Sequence, residues 1–411
     1  MRDLSRWVTV SVAPAVVFAC ASTAPAQVLS ETDAVARALA GSPQLRAARS
    51  RPTQVAAEER ARRAYTNPSV TLQQEDAAGV RDRFLLVEQP FSVSGRRGLL
   101  AKAATHAVAA SEASVRDLEH AVRRDTRVAY AQCVGAIARE RVLREGLATL
   151  EDLTERLRAR EQAGEGSAFD RLRAEREHAD VVDDRRSASA DVAYWRAQLA
   201  GLLCEPDGGR GLTLDTRVST GQLPELDQAI QVAQARRPAL EAAAADIERL
   251  RFEREAASRL RWPTPSVSGG WKQTSDGHRA DSGYAIALGV ALPLFARGTA
   301  ETSALGSALT GAEAARDGVL RVIEAEVRGA YARALDGQAR VTAYGTEALA
   351  RSRELVTIAT LAYGEGELGI LELLDAHRTL LSAERRAVDL QVDARIAAVL
   401  LDHATANEVV Q

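Results

Sequence analysis

Glu372 and Asp375 stand three residues apart, close behind Gly364-Glu365-Gly366. At i, i+3 spacing both carboxylates fall on one face of a helix. There they could draw cations together or be solvated surface. Gly364-x-Gly366-x-x-Gly369 has the form of a dinucleotide fingerprint. It follows a helical stretch rather than a strand, so the context for cradling a phosphate is absent. Glu175-x-x-His178 is half of a di-iron carboxylate motif, and the second half that such a site needs does not occur. The six histidines are scattered with no H-E-x-x-H, and no nucleophile elbow is present. No enzyme chemistry, resident metal or cofactor is therefore expected.

Composition narrows the classes further. The 411 residues carry a formal net charge of −3, which lacks the basic excess that phosphate backbones require, so nucleic acid is not an expected partner. Aromatic residues make up 4%, and Ala, Arg, Glu and Leu dominate long stretches, as in long helices. At the start, Arg2 and Arg6 precede a short apolar run and the A-x-A signal Ala24-Pro25-Ala26. Residues 1–26 thus read as an export signal, with a mature chain from Gln27. Cys20, after Val17-Phe18-Ala19, is a weak candidate for lipidation. Beyond residue 26 no apolar run is long enough for a transmembrane helix. Cys133 and Cys204 form no disulfide framework and are expected to be small buried residues.

The elements that must position any site come twice. Asn67-Pro68-Ser69-Val70 is echoed by Thr264-Pro265-Ser266-Val267, and Pro90-Phe91 through Gly95 by Pro293-Leu294 through Gly298. Ala129-Tyr130-Ala131 returns as Ala330-Tyr331-Ala332, and Gly164-Glu165-Gly166 as Gly364-Glu365-Gly366. A period near 200 residues is too long for a solenoid unit, so each copy is a composite. We divide the chain into a first repeat at 27–204, a Gly-, Pro- and Thr-rich connector at 205–225 and a second repeat at 226–411.

Each copy opens with helix broken by a proline, Pro43 or Pro238. The period then changes to two, predicting hairpins at about 68–91 and 265–294. Val70 to Gln74 pairs with Arg83 to Gln89 across a polar turn at Ala77–Asp82. In the second copy, Val267 to Gln273 leads to Tyr284, Ile286, Leu288, Val290 and Leu292, which alternate with Ala and Gly. Nine or ten such residues suit a tilted membrane strand, although a hairpin packed on helices has the same pattern. Proline-free rods follow at about 98–161, where only Gly135 and Gly146 interrupt the helix-forming composition, and at 300–362. Some 63 residues give about 95 Å of helix, too long for an ordinary globular core. Leu143, Leu147, Leu150, Leu153 and Leu157 form a coiled-coil-like seam. Each rod ends at Gly-Glu-Gly and a helix returns.

Four strands cannot close a membrane barrel, and an open edge in lipid leaves backbone groups unsatisfied. Three chains would supply twelve strands. This layout resembles the TolC family of outer-membrane efflux proteins over essentially the whole mature chain. The most specific stretch is Tyr363-Gly364-Glu365-Gly366 through Leu371-Glu372-Leu373-Leu374-Asp375-Ala376-His377 to Leu381. Asn67 to Val70, Glu88-Gln89-Pro90-Phe91 and Gly95-Arg96-Arg97 resemble the CzcC-like branch, associated with heavy-metal efflux.

The resemblance implies a mainly α fold with a small membrane β part: a TolC-like α/β-barrel whose homotrimer completes a 12-stranded barrel in outer-membrane lipid. It implies a passive duct without catalysis or cofactor, extending into the periplasm and docked to a periplasmic adaptor and an inner-membrane pump of the resistance–nodulation–division (RND) type. It places Glu372 and Asp375 in an acidic ring at the periplasmic aperture, which favours cations. It assigns adaptor contact to the tips Gly164, Glu165, Gly166 and Gly364, Glu365, Gly366. The alternative is a periplasmic coiled-coil adaptor or scaffold whose hairpins stay in water.

Overall fold

The computed structural model describes residues 28–205, 207–209, 211–216 and 223–407. The export signal at 1–26 and Cys20 lie outside them. The first half runs α1 (Glu31–Gly41), α2 (Pro43–Arg62), β1 (Ser69–Ala77), β2 (Val80–Pro90), α3 (Arg96–Gln162) and α4 (Ala168–Leu203). The second runs α5 (Leu226–Arg236), α6 (Pro238–Ser258), β3 (Thr264–Ser275), β4 (Ala280–Ala291), α7 (Thr299–Ala343), α8 (Ala350–Glu365) and α9 (Ile370–Thr405). Local chemistry sets the breaks. Ser30 Oγ accepts from Asp33 N at the head of α1, and Ser42 Oγ accepts from Leu45 N where Pro43 opens α2.

Three expectations need correction. The first hairpin turns at Ala78-Gly79, not across Ala77–Asp82, because both residues take positive φ (53° and 79°), the twist a two-residue turn needs. Alanine is a poor advertisement for that conformation. Helix α3 is continuous for 67 residues, through Gly135 and Gly146. They are places of close approach: a Cβ on Gly135 would lie 2.4 Å from a Val392 methyl, and one on Gly146 2.8 Å from Leu381. The second rod is not one α-helix, since Tyr344–Leu349 forms a π-helical turn between α7 and α8. Cys133 is buried as expected, but Cys204 is exposed, capping α4 at φ 59°.

The strands form one antiparallel sheet in the order β1-β2-β3-β4, leaving β1 and β4 as edges. Registers fix which residues share a face. Val70 pairs with Val87, Leu72 with Leu85, Leu85 with Trp271 and Trp271 with Tyr284. From the sheet, α3 carries the chain about 100 Å at 1.5 Å per residue before α4 returns. It packs along α2, α4, α6 and α9, while α7 packs along α5, α6 and α9.

Several buried clusters hold the rods together. At the far end, Leu143, Leu147, Leu150 and Leu157 of α3 meet Val181 of α4 and Ile370, Leu373 and Leu374 of α9, with Leu153 partly buried beside them. Midway, Leu29, Tyr130, Cys133, Val134, Leu199 and Leu214 pack together. Tyr130 Oη donates to the carbonyls of Leu29 and Asp215, both at 2.9 Å, and burial pushes its pKa up to about 12. Glu31 ties α1 to α3 and α9, 2.6 Å from both Arg127 and Arg395, while Arg127 also holds Asp402 at 2.9 Å.

Candidate functional site

Alternation along the strands gives the sheet two unlike faces. One carries Val70, Leu72, Leu85, Val87, Val267, Trp271, Tyr284, Ile286, Leu288 and Val290, all of them exposed, and turns polar toward the hairpin turns at Gln74, Asp76, Arg81, Arg83 and Gln273. Leu72, Tyr284 and Leu288 are 79, 84 and 80% exposed. The opposite face carries Thr71, Gln73, Glu75, Asp82, Glu88, Ser268, Lys272 and Thr274, with Phe84 and Leu86 among them, beside the small residues of β4. Asp82 is held there by Lys272 at 2.9 Å and Thr274 at 2.6 Å. A contiguous exposed apolar face of this size marks a binding or membrane surface.

Where strands give way to helices, Tyr65, Phe91, Trp262 and Phe295 are exposed, Phe295 almost completely. Arg97 lies over the Tyr65 ring, 3.3 Å from its centroid. Aromatic rings with basic residues at one level form the girdle that membrane barrels place at a lipid–water boundary.

About 100 Å away are the two helix tips. Gly-Glu-Gly occurs in both, but its backbone is not equivalent. In the first tip Gly164 takes the left-handed conformation (φ 77°) and Ser167 caps α4; in the second Gly366 does (φ 78°), Gly364 is still helical and Gly369 caps α9. The tips therefore superpose at an offset of 202 residues, not the 200 of the matching letters. Glu165 and Glu365 accordingly fall at different points of their turns.

Glu372 and Asp375 sit in the first turns of α9, both exposed, with no hydrogen-bonding or ion-pair partner among the described residues. Glu372 folds back toward Gly369, where a Cβ would come within 2.9 Å of its Oε2, close to the favourable end of the helix dipole. The next carboxylates are paired: Arg378 of α9 with Glu177 of α4, Arg385 with Asp184 at 2.7 Å, and Arg353 of α8 with Glu384 at 3.3 Å. Glu372 and Asp375 form no ion pair among the described residues, though Asp375 lies within the field of Arg378. Beside them His377 is half-buried, and desolvation lowers its pKa. Sequence reading missed the α4–α9 pairs, although opposite charges 201 residues apart in a 202-residue repeat were a usable signal. Glu175 is spent on ion pairs with Arg158 and Arg171, and His178 Nε2 lies 3.5 Å from Glu151.

No curated protein sequence matches this chain. Residues 229–407 match the model of a family described as outer membrane efflux protein. Among solved structures, a membrane protein from Pseudomonas aeruginosa is 22% identical, with 91% of this chain and 92% of that one covered and a TM-score of 0.74. The outer membrane protein VceC of Vibrio cholerae is 20% identical, covering 91% and 95% at a TM-score of 0.75. The MtrE outer membrane channel of Neisseria gonorrhoeae, in its open state, is 20% identical, covering 91% and 88% at 0.73. This chain therefore has the fold of these TolC-like outer-membrane channels, and its second half carries the sequence pattern of the outer membrane efflux protein family.

Proposed function

We propose that the protein is one subunit of a trimeric outer-membrane exit duct in a tripartite efflux system, a passive conduit rather than an enzyme. The observation that carries this reading is the four-stranded sheet with two free edges and one exposed face that is apolar through most of its height, from Leu72 and Tyr284 to Val70 and Val290. In water that face and those edges would drive aggregation. In lipid, three copies satisfy both, because twelve strands close a barrel of even strand number with apolar side chains outward and Thr71, Gln73, Glu75 and Lys272 inward. The rods then extend the tube into the periplasm. A periplasmic adaptor meets the tips at Gly164–Gly166 and Gly364–Gly366, and behind it stands an inner-membrane RND-type pump. The unpaired Glu372 and Asp375 supply six carboxylates around the aperture, favouring cations. The CzcC-like resemblance of Asn67–Val70 and Glu88–Phe91 supports metal cations as cargo.

The test is membrane fractionation followed by sizing in detergent. The expected result is a trimer in the outer-membrane fraction. Recovery as a soluble periplasmic monomer overturns the duct and favours a scaffold.

A further inference from the structure

At the level of the exposed aromatic residues, the end of α6 and the start of α7 enclose a cleft of about 1070 Å³. Three arginines line it: Arg254 of α6, Arg261 just before β3, and Arg297 just before α7. All three are exposed, and none has an ion-pair partner among the described residues. Their neighbours Arg249, Arg251 and Arg259 are each paired with a carboxylate. We infer that this cleft binds the phosphate of an anionic phospholipid headgroup from the periplasmic leaflet of the outer membrane. The inference rests on the duct reading, which sets this level at the lipid–water boundary.

Local sequence builds the cleft. Gly298 precedes α7 at φ 72°, and a Cβ there would lie 2.4 Å from the Ala257 carbonyl oxygen, so glycine lets the two helix ends meet. No side chain caps α7, which leaves the first amides of a 45-residue helix available to an anion. Glu301, the acid of that turn, does not line the cleft. The hydroxyls of Thr299, Ser303 and Ser307 do, and they have no hydrogen-bond partner among the described residues. Arg297 spends only Nε, on the Leu294 carbonyl at 3.1 Å. Guanidinium forks, amides and hydroxyls can all donate, and the free oxygens of a phosphodiester only accept. The same set ranks headgroups. No Asp or Glu lines the cleft, so a choline or ethanolamine ammonium finds no partner there and faces three guanidiniums. The glycerol of phosphatidylglycerol meets no such penalty.

The wall toward the sheet favours a lipid over free phosphate. Leu292 and Leu294 line the cleft beside the arginines. Leu292 continues the alternation of Ile286, Leu288 and Val290 along the exposed apolar face of β4. A headgroup held by the arginines therefore lays its acyl chains on an apolar track that begins at the cleft wall. Free phosphate would leave that track unused. A basic pocket opening onto apolar surface is the form that headgroup sites take at membrane boundaries.

The first repeat supplies an internal control. Its counterpart cleft, of about 420 Å³, is lined by Arg60, Arg63, Tyr65 and Arg97. There Arg97 lies over the Tyr65 ring and donates from Nε to the Arg63 carbonyl at 3.0 Å, so the chain's own groups occupy the site. By the proline landmarks Tyr65 corresponds to Trp262, which does not line the second cleft. Of the two, the second is left open to a ligand.

The experiment is native mass spectrometry of the full-chain trimer in detergent, titrated with phosphatidylglycerol, phosphatidylcholine or inorganic phosphate. The expected result is retained phosphatidylglycerol, favoured about tenfold over phosphatidylcholine. Arg254→Gln with Arg297→Gln should lower that binding about tenfold, and Arg254→Lys with Arg297→Lys should keep most of it. Arg60→Gln with Arg63→Gln, in the first cleft, should leave it unchanged. Equal retention of the two lipids by the parent trimer overturns the site while the duct stands. So does unchanged phosphatidylglycerol binding in the glutamine pair, or an equal loss from the first-cleft pair. Inorganic phosphate that displaces the lipid at equal concentration overturns the lipid in favour of a free-anion site. A parent protein recovered as a soluble monomer overturns both readings.

Discussion

Ile286→Arg is the sharpest probe of the sheet's two faces. Ile286 lies at the middle of β4, is 72% exposed and points to the apolar side. Twelve residues at about 3.4 Å each, tilted by about 40°, rise roughly 31 Å, enough to cross an apolar band of about 25 Å with Ile286 near its midplane. Arginine there costs about 2–4 kcal/mol per chain, hence about 6–12 kcal/mol in a trimer. Ala287→Arg changes the next residue, at nearly the same depth, and points into the water-filled side, where the cost is near zero. Per chain the two variants should differ by roughly 30- to 1,000-fold, at about 1.4 kcal/mol per tenfold. The assay is the fraction recovered as outer-membrane trimer, backed by denaturant titration of the refolded protein in bilayers. Equal recovery of both variants, or preferential loss of Ala287→Arg, would refute the assignment of faces.

Replacing Glu372 and Asp375 with alanine should lower the cation-to-anion permeability ratio in single-channel recordings, and an unchanged ratio removes them from the aperture. His403, where α9 meets α3 and α5, has its pKa lowered to about 4 by burial and by Arg237 and Arg124. Because the folded-state value lies below the usual 6.5, its contribution to stability is complete above that pH and is lost as pH falls toward 4. Thermal unfolding across this range should show a lowered Tm, and His403→Gln should remove that part of the slope.

Much of the architecture was legible because its signals are periodic and repeated. The change from period 3.6 to period 2 at Pro68 and Pro265 located both hairpins, and their repetition gave the unit. What stayed hidden depends on backbone conformation and long-range packing. Ala78 gives no sign that it accepts positive φ. Matching letters aligned Gly164 with Gly364, whereas left-handed geometry aligns it with Gly366. Gly135 showed only as a departure from helix-forming composition, because the Val392 side chain that needs its space is 257 residues away. Glu372 and Asp375 were visible as a pair on one helix face. That their neighbours are neutralised, by arginines on the same helix and its partners, was not.

The π-helical turn at Tyr344–Leu349 has a mechanical consequence. A π-turn is where a helix gives way under load. The first rod is a continuous beam of 67 residues, whereas the second is interrupted, with the 16-residue α8 beyond the π-turn leading straight into the turn ahead of Glu372 and Asp375. In the proposed trimer stiff and jointed staves alternate, so the far end deforms with threefold rather than sixfold symmetry. Compliance is concentrated in the staves that lead to the acidic residues.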